Sequence, residues 1–304
     1  MDCDVGTDDA IAITAALFAE DAEVVAVTAV FGNTFVERTA RNALNLVRHL
    51  GSSVPVAVGA SAPLKDRGNI KPDVSHGESG LGTVTLPDCG GSFHSLNAPA
   101  AIYEAAVKAS GELEIIATAP LTNIAMAFLL YPELPSMIRG LYIMGGAIDG
   151  GNMTRNAEFN TWNDPEAARI AFSSGAPCFL TGLDVTRNTI LNEDDARAIR
   201  SVGTKAALVV ADILDFMFAR RDAGGEDAIM HDALAAASAL CPGCVEFREY
   251  YVDAECEGRY TFGHTFVDTR GRTGNKPNVN VAVASSLPTF KRWLLECIER
   301  SERV

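Results

Sequence analysis

The sequence predicts an α/β fold, an open and mostly parallel Rossmann-like sheet with helices on both faces. Three observations lead there. Short apolar runs rich in β-branched residues alternate with segments of helical periodicity along most of the chain. Those runs are close to continuously apolar, as strands covered on both faces must be. The 304 residues, 48% of them hydrophobic, suffice for a large core and carry no repeat, low-complexity run or linker, so a single domain over 1–304 is expected.

The elements follow in order. A helix over Asp8–Phe18 comes after an acidic opening segment. Val24–Val30 reads as a buried strand and Val36–Leu50 as a helix with Ala40, Ala43, Leu44, Val47 and Leu50 on one face. Strands at Pro55–Val58, Leu113–Ala117, Leu141–Met144 and Cys178–Leu183 interleave with helices near Pro99–Lys108, Asn123–Leu130 and Pro165–Phe172. Asp164-Pro165 reads as a helix cap followed by a first-turn proline, without chemistry. Residues 204–240 look helical, and strands at Tyr260–Val267 and Val279–Val283 precede a closing helix from about Pro288. One element looks incomplete. The loop that feeds Asp8–Phe18 should hang from a strand, yet almost nothing precedes Asp2. Either a first strand is truncated or the sheet does without it.

Charge narrows the function classes. The formal net charge is −14, from 39 acidic and 25 basic residues. Such a surface repels phosphate backbones and anionic lipid, which excludes nucleic acid and membranes as natural partners. No apolar stretch approaches the ~18 residues of a membrane span. The opening Met-Asp-Cys-Asp lacks the basic and apolar regions of a signal peptide. Seven cysteines scattered along the chain fit a reducing cytosol, so a cytoplasmic protein is expected. Cys241 and Cys244 form C-P-G-C, a redox or zinc pair on one reading and two cysteines around a turn on the other. The turn is favoured, because no second pair or close histidines accompany it.

The acidic opening carries the strongest signal. Residues 2–9 read D-C-D-V-G-T-D-D, which places Asp2, Asp4, Asp8 and Asp9 within eight positions. Like charges so close repel, and burying them unpaired is costly. Helix capping by Asp8 would account for one or two of them. A hard cation held by oxygen ligands would account for all, with Gly6 in a tight turn around it. An EF-hand loop starting at Asp2 fails, because its sixth position is Thr7 and its twelfth Ile13. The D-x-D-G-T start of haloacid-dehalogenase-type phosphatases fails too, because Val5 stands before the glycine and no buried strand precedes the motif.

Other residues are ambiguous alone. Glu158 and Asn160, two apart, point the same way in an extended segment and would suit ribose, or they belong to a surface turn. Asp232 after His231 is either a helix N-cap or a site residue. Asn33 after Gly32 is either a turn residue or a ligand contact. His49, His94 and His264 have no such company.

Taken together these segments resemble the nucleoside hydrolase family, inosine-uridine preferring type. The D-x-D-x-G-x-D-D-A of Asp2–Ala10 is similar to its opening fingerprint. Phe31-Gly32-Asn33, the H-G-x-x-G-x-G of His76–Gly82, the T-x-x-L-T-N of Thr118–Asn123, Met144-Gly145-Gly146, Ala157-Glu158-Phe159-Asn160 and His231-Asp232 follow in the family's order. The resemblance implies hydrolysis of the N-glycosidic bond of ribonucleosides. It implies Ca²⁺ on Asp4, Asp9, Asp232 and the carbonyl of Thr118, with Asp4 as general base. Asp8, Asn33, Asn160 and Asp232 would grip the ribose hydroxyls, and Glu158 with Asn152 the 5′-OH, beside Met144 and Phe159. Asn160 would stand among the catalytic residues, and His231 would serve the leaving base as acid, with His76 nearby. A homo-oligomer, dimer or tetramer, is also implied.

The chain departs from the family pattern in places. Val5 replaces a common proline and Ala119 a common glycine. The stretch from Lys205 to His231 has no tyrosine to reach the base, only Phe216, Phe218, Arg220 and Arg221. His231 resembles the pyrimidine-preferring or broad-specificity branch. A calcium-dependent nucleoside binder without catalysis is the rival, and the presence of both Asp4 and His231 favours the enzyme.

Overall fold

Apolar β-branched runs become strands where a neighbour is in register to pair with them. A computed structural model describes residues 1–68, 74–77 and 79–301. The strands are β1 (Asp2–Cys3), β2 (Val27–Ala29), β3 (Val56–Val58), β4 (Leu113–Ala117), β5 (Ile138–Met144), β6 (Cys178–Thr181), β7 (Val245–Tyr250), β8 (Val252–Ala254), β9 (Thr265–Val267) and β10 (Val279–Ser285). Eight of them form one sheet in the order β3-β2-β1-β4-β5-β6-β10-β7. All pair in parallel except β7, which lies antiparallel to β10 at the edge. The predicted open, mostly parallel α/β sheet is therefore present.

Helices cover both faces. One apolar cluster joins α1 (Thr7–Leu17), α2 (Val36–His49), α9 (Glu193–Val202), α10 (Lys205–Asp222), α11 (His231–Leu240) and α12 (Leu287–Arg300) to the sheet. The other joins α3 (Ala98–Ala109), α4 (Thr122–Leu130), α5 (Leu134–Met137) and α7 (Pro165–Ser173). Successive residues of β4 alternate between them: Ile115 and Ala117 belong to the second cluster, Ile116 to the first. Two short helices, α6 (Phe159–Asn163) and α8 (Leu183–Thr186), sit where chain leaves the sheet.

Several expectations are corrected. The sheet does not do without a first strand: Asp2–Cys3 pairs with both β2 and β4, with Asp2 opposite Thr28 and Ala117. The strand expected over Val24–Val30 shrinks to Val27–Ala29, because pairing with β3 begins only at Val27. The one expected over Cys178–Leu183 ends at Thr181, and Leu183 opens α8. Tyr260–Val267 keeps only Thr265–Val267, paired with β8, since residues 258–263 close a turn from Phe262 N–H to the Gly258 carbonyl. The helical stretch at 204–240 divides into α10 and α11. Strand β7 was not expected; its sequence VEFREY alternates, as an edge strand with one wet face does.

The Asp164-Pro165 pair is the cap that the sequence suggests. Asp164 is fully buried and Pro165 is the first residue of α7. Its Oδ1 accepts from the Ala167 N–H at 3.0 Å, while Oδ2 accepts from the Leu64 N–H at 2.8 Å and the Thr122 hydroxyl at 2.6 Å. One carboxylate thus ties α7 to α4 and to the loop after β3. Asp164→Ala should lower the unfolding free energy by about 3 kcal/mol, through the lost cap and the buried donors left without an acceptor. Asp164→Asn, which keeps a capping oxygen, should lose less. Denaturant unfolding of the three proteins measures this, and an Asp164→Ala loss under about 1 kcal/mol would contradict it.

Candidate active site

The strand order reverses between β1 and β4, and such a reversal opens a crevice beyond the carboxyl ends of the strands. The chain leaving β1 delivers Asp4 there and α1 delivers Asp8. Past β2 comes Asn33, past β4 Thr118, and β5 ends on Met144. Asn152, Glu158, Phe159 and Asn160 come from the segment after β5, and His231 and Asp232 from the first turn of α11. Together with His76 all of these line one cleft. Asp9 is the predicted residue absent from the lining. It lies fully buried beneath the cleft, with Oδ1 accepting from the Thr118 hydroxyl at 2.7 Å and Oδ2 from the Gly6 N–H at 2.9 Å and the Asn33 amide at 3.2 Å. Glu78 of the H-G-x-x-G-x-G stretch lies outside the described residues.

Close packing explains the glycines. A Cβ on Gly6 would fall 2.6 Å from Asn33 Nδ2 and 2.7 Å from His76 Nδ1, and one on Gly32 would fall 1.9 Å from Asp4 Oδ2. Gly6 is extended and caps α1 rather than making the tight turn that the sequence suggests. Asp8 is not that cap either, since it stands within the first turn. Asp232 likewise lies inside the first turn of α11, after Met230, so capping does not explain it. Glu158 and Asn160 are not in an extended segment. Glu158 caps α6, Oε1 accepting from the Asn160 N–H and Oε2 from those of Thr161 and Gly146, at 2.8–3.0 Å. Asn160, inside α6, aims its amide at the Thr118 carbonyl (3.0 Å) and the Met144 carbonyl (3.1 Å).

Electrostatics dominates the centre. Asp4 Oδ2 accepts from the Asn33 N–H at 2.6 Å and Asp8 Oδ2 from the Asp232 N–H at 2.7 Å. The other oxygens, Asp4 Oδ1 and Asp8 Oδ1, are buried without a hydrogen-bond partner. Burial, reinforced by the charge of Asp9, holds Asp4 well above the usual carboxylate range. Burial does the same to Asp232, with Asp9, Asp8, Asp4 and Glu158 adding repulsion, and raises Asp8 to about 7. Asp2 Oδ2 is also buried and unpartnered, but Asp2 lies outside the cleft. Its Oδ1 takes bonds from Thr28 and Asn123, and burial raises the group to about 6. Among the described residues, no three His, Cys, Asp or Glu side chains already stand so that they could hold a metal ion.

Two histidines face the same cleft. The Thr7 backbone N–H donates to His76 Nδ1 at 3.1 Å, so the proton of the neutral ring sits on Nε2. His231 Nδ1 meets the Thr186 hydroxyl at 2.7 Å. Burial, with Arg187, His76 and Arg220 near, lowers the His231 pKa to about 4. His49, His94 and His264 stay outside the cleft, as expected. The C-P-G-C pair is a turn between α11 and β7, closed from the Cys244 N–H to the Cys241 carbonyl, and burial raises both thiols. Inert thiols of that kind argue against redox work. Sequence reasoning missed Thr7, Ser75, Met217, Glu226, Asp227 and Ile229 as cleft residues and gave Arg220 no role. The available signal was helical spacing, since Met217 and Arg220 are three apart on α10 and share a face.

Comparison with known proteins agrees with this geometry. The family profile described as inosine-uridine preferring nucleoside hydrolase matches residues 1–292. The pyrimidine-specific ribonucleoside hydrolase RihA of Escherichia coli O81 (strain ED1a) is 40% identical over 287 residues, covering 93% of this chain and 92% of its own. Among solved structures, a purine-preferring ribonucleoside hydrolase from Gardnerella vaginalis superposes with a TM-score of 0.92 at 33% identity, covering 100% of this chain and 98% of its own. The plant nucleoside hydrolase PpNRh1 does so at 0.89 and 29%, covering 98% and 97%. With that agreement along its whole length, this chain belongs to the nucleoside hydrolase family and is a ribonucleoside hydrolase.

Proposed function

We propose that the enzyme hydrolyses free ribonucleosides, pyrimidine ribonucleosides foremost, at a Ca²⁺-dependent site. The observation that carries this is the pair of buried, unpartnered oxygens on Asp4 and Asp8, set among further carboxylates and opposite two histidines. Buried carboxylates at that density want a cation, and an all-oxygen set suits a hard one. Asp4, Asp9, Asp232 and the Thr118 carbonyl would hold it; Asp9 has spare lone pairs despite its three donors. Bound there, Ca²⁺ would lower the pKa of a water and offset the charge of its ligands.

The residues then divide the work. Asp4 takes the proton of the attacking water. Asp8, Asn33, Asn160 and Asp232 hold the ribose hydroxyls, with Asn160 kept in place by its bonds to Thr118 and Met144. Glu158, Asn152, Phe159 and Met144 receive the 5′ side. The surrounding carboxylates stabilise positive charge growing on the sugar. His231 donates a hydrogen bond to the departing base, with His76 beside it. The names of relatives divide between purine and pyrimidine preference. The higher identity to pyrimidine-specific hydrolases supports the pyrimidine side. A cytoplasmic homo-oligomer, dimer or tetramer, belongs to the same reading.

Three tests follow. The purified protein should carry about one calcium per chain, and prolonged chelation should abolish ribose release from uridine, with calcium restoring it. Activity that survives chelation in metal-free protein removes the cation from the reaction.

Asp4→Ala should cost at least about 1,000-fold in kcat on every substrate, because the water is common to all. His231→Ala should depend on the leaving group. Uridine turnover should drop by roughly 100-fold or more, and nitrophenyl riboside, whose leaving group needs little help, by far less. Equal losses on the two substrates would take His231 out of the leaving-group role.

Nucleotides should be poor substrates. A 5′-phosphate brings about two negative charges towards the buried Glu158 carboxylate, and unit charges at ~4 Å repel by about 4 kcal/mol even at an effective dielectric of ~20. Arg155, the cation nearest to Glu158 in sequence, is exposed and does not line the cleft. The kcat/KM for uridine 5′-monophosphate should fall at least about 100-fold below that for uridine. Equal values would mean that Glu158 does not face the 5′ position.

A further inference from the structure

One cation in the cleft has no part in the scheme above. Arg220, in the last turn of α10, is the single Arg or Lys that lines the cleft among the described residues. Its Nη1 donates to the Ser75 carbonyl at 2.8 Å, which anchors the guanidinium beside His76. Its Nε is buried and has no hydrogen-bond partner among the described residues. Among the described residues it forms no ion pair, unlike Arg221 next to it, which pairs with Glu193 and Asp222. The stem is fixed from behind: a Cβ on Gly225 would come within 2.9 Å of Arg220 Cγ. A buried charged donor left without a partner is costly unless a ligand supplies one.

We propose that Arg220 receives the leaving pyrimidine, donating from Nε to a ring carbonyl and stabilising the negative charge that gathers there as the glycosidic bond breaks. This rests on the nucleoside hydrolase reading of the cleft. The electron flow requires such a partner. The C1′–N1 bond breaks and both electrons stay with N1. The ring spreads the charge to O2 and O4. C1′ takes the water oxygen, whose proton passes to Asp4, and the released pyrimidine anion takes a proton from solvent. A guanidinium cannot supply that proton, since it stays charged, but it is well suited to hold the anion through a charge-assisted hydrogen bond. The same cation selects against purines. A purine leaves most readily after its imidazole ring is protonated, and a fixed positive charge opposes a second one on the ring. Arg220 therefore acts in specificity as well as rate, in a segment without the tyrosines that would otherwise meet the base.

The test compares the calcium-loaded enzyme with Arg220→Met, Arg220→Lys and Arg221→Met on uridine, uridine 5′-monophosphate, inosine and nitrophenyl riboside. Arg220→Met should lose about 100-fold in kcat/KM on uridine, the scale of one charge-assisted bond made in the transition state. Its loss on nitrophenyl riboside should be at least tenfold smaller, and its inosine-to-uridine ratio should rise. Arg220→Lys should recover part of the uridine activity, and Arg221→Met should leave the substrate ratios as they are. Equilibrium binding of 5-fluorouracil, a more acidic pyrimidine, should weaken at least tenfold in Arg220→Met. Equal losses on uridine and nitrophenyl riboside, or unchanged 5-fluorouracil affinity, would reduce Arg220 to a support for Ser75 and overturn the proposal. So would a loss confined to uridine 5′-monophosphate, which would make it a phosphate contact. Absence of ribose release from every substrate by the unaltered enzyme would instead overturn the hydrolase reading beneath it.

Discussion

The structure turns on one costly arrangement, the burial of several carboxylates at the point where the strand order reverses. Asp4, Asp8, Asp9, Asp232 and Glu158 are all less than a tenth exposed. Two unit charges at ~4 Å in an effective dielectric of ~20 repel by about 4 kcal/mol, and repulsion among these carboxylates adds to burial in raising Asp4, Asp8 and Asp232. Nothing in the hydrophobic core offsets that locally. What makes it tolerable is a shell of donors fixed by the fold. The Gly6, Asn33, Gly146 and Asp232 backbone N–H groups and the Thr118 hydroxyl each reach a carboxylate oxygen. The Gly6, Asn33 and Thr118 donors stand together because β1, β2 and β4 end side by side, with Asp2 opposite both Thr28 and Ala117. The two-residue β1 therefore matters more than its length suggests.

The donors are not shared evenly, and the inequality separates structure from chemistry. Asp164 has both oxygens taken by protein groups, as do Asp9 and Glu158. Asp164, which does not line the cleft, pins helices together, whereas Asp9 holds Asn33 and Thr118 in place. Asp4 and Asp8 keep one oxygen each without a partner, and both face the cleft. Buried oxygens without donors are costly, and these two, unlike the unpartnered Oδ2 of Asp2, belong to residues that line the cleft, where a ligand would supply the partner.

Much of this was legible in the sequence, for physical reasons that differ by element. The parallel sheet was readable because strands buried on both faces must be continuously apolar, as LEIIA in β4 is. The site was readable because helix capping accounts for at most two of four aspartates within eight residues. Edge strand β7 escaped because alternation with charged residues resembles a surface segment. The conformations of Gly6 and Glu158 escaped because they depend on contacts between distant parts of the chain. Gly6 is required by Asn33 and His76, and Glu158 caps a five-residue helix too short to carry periodicity. Arg220 escaped for a related reason. Its meaning lies in the partner its Nε lacks, and no spacing rule registers a missing bond.

The two ends of the cleft are also built differently, and this bears on how base preference can change within one fold. Ribose is common to every substrate, and the residues proposed to hold it come from the segments after β2 and β5 and from the starts of α1 and α11. Their bonds interlock: Asn33 holds Asp4 through its backbone N–H and Asp9 through its side-chain amide. The base end depends on single side chains instead. His76 is held by Thr7, His231 by Thr186, and Arg220 by one carbonyl at Ser75. Helix α10 packs its apolar face into the core through Val210, Leu214 and Met217, and presents Arg220 from its last turn. A substitution at that position leaves the carboxylate cluster and its donors intact. On the proposed reading, base preference would change at α10 while the ribose contacts stay fixed.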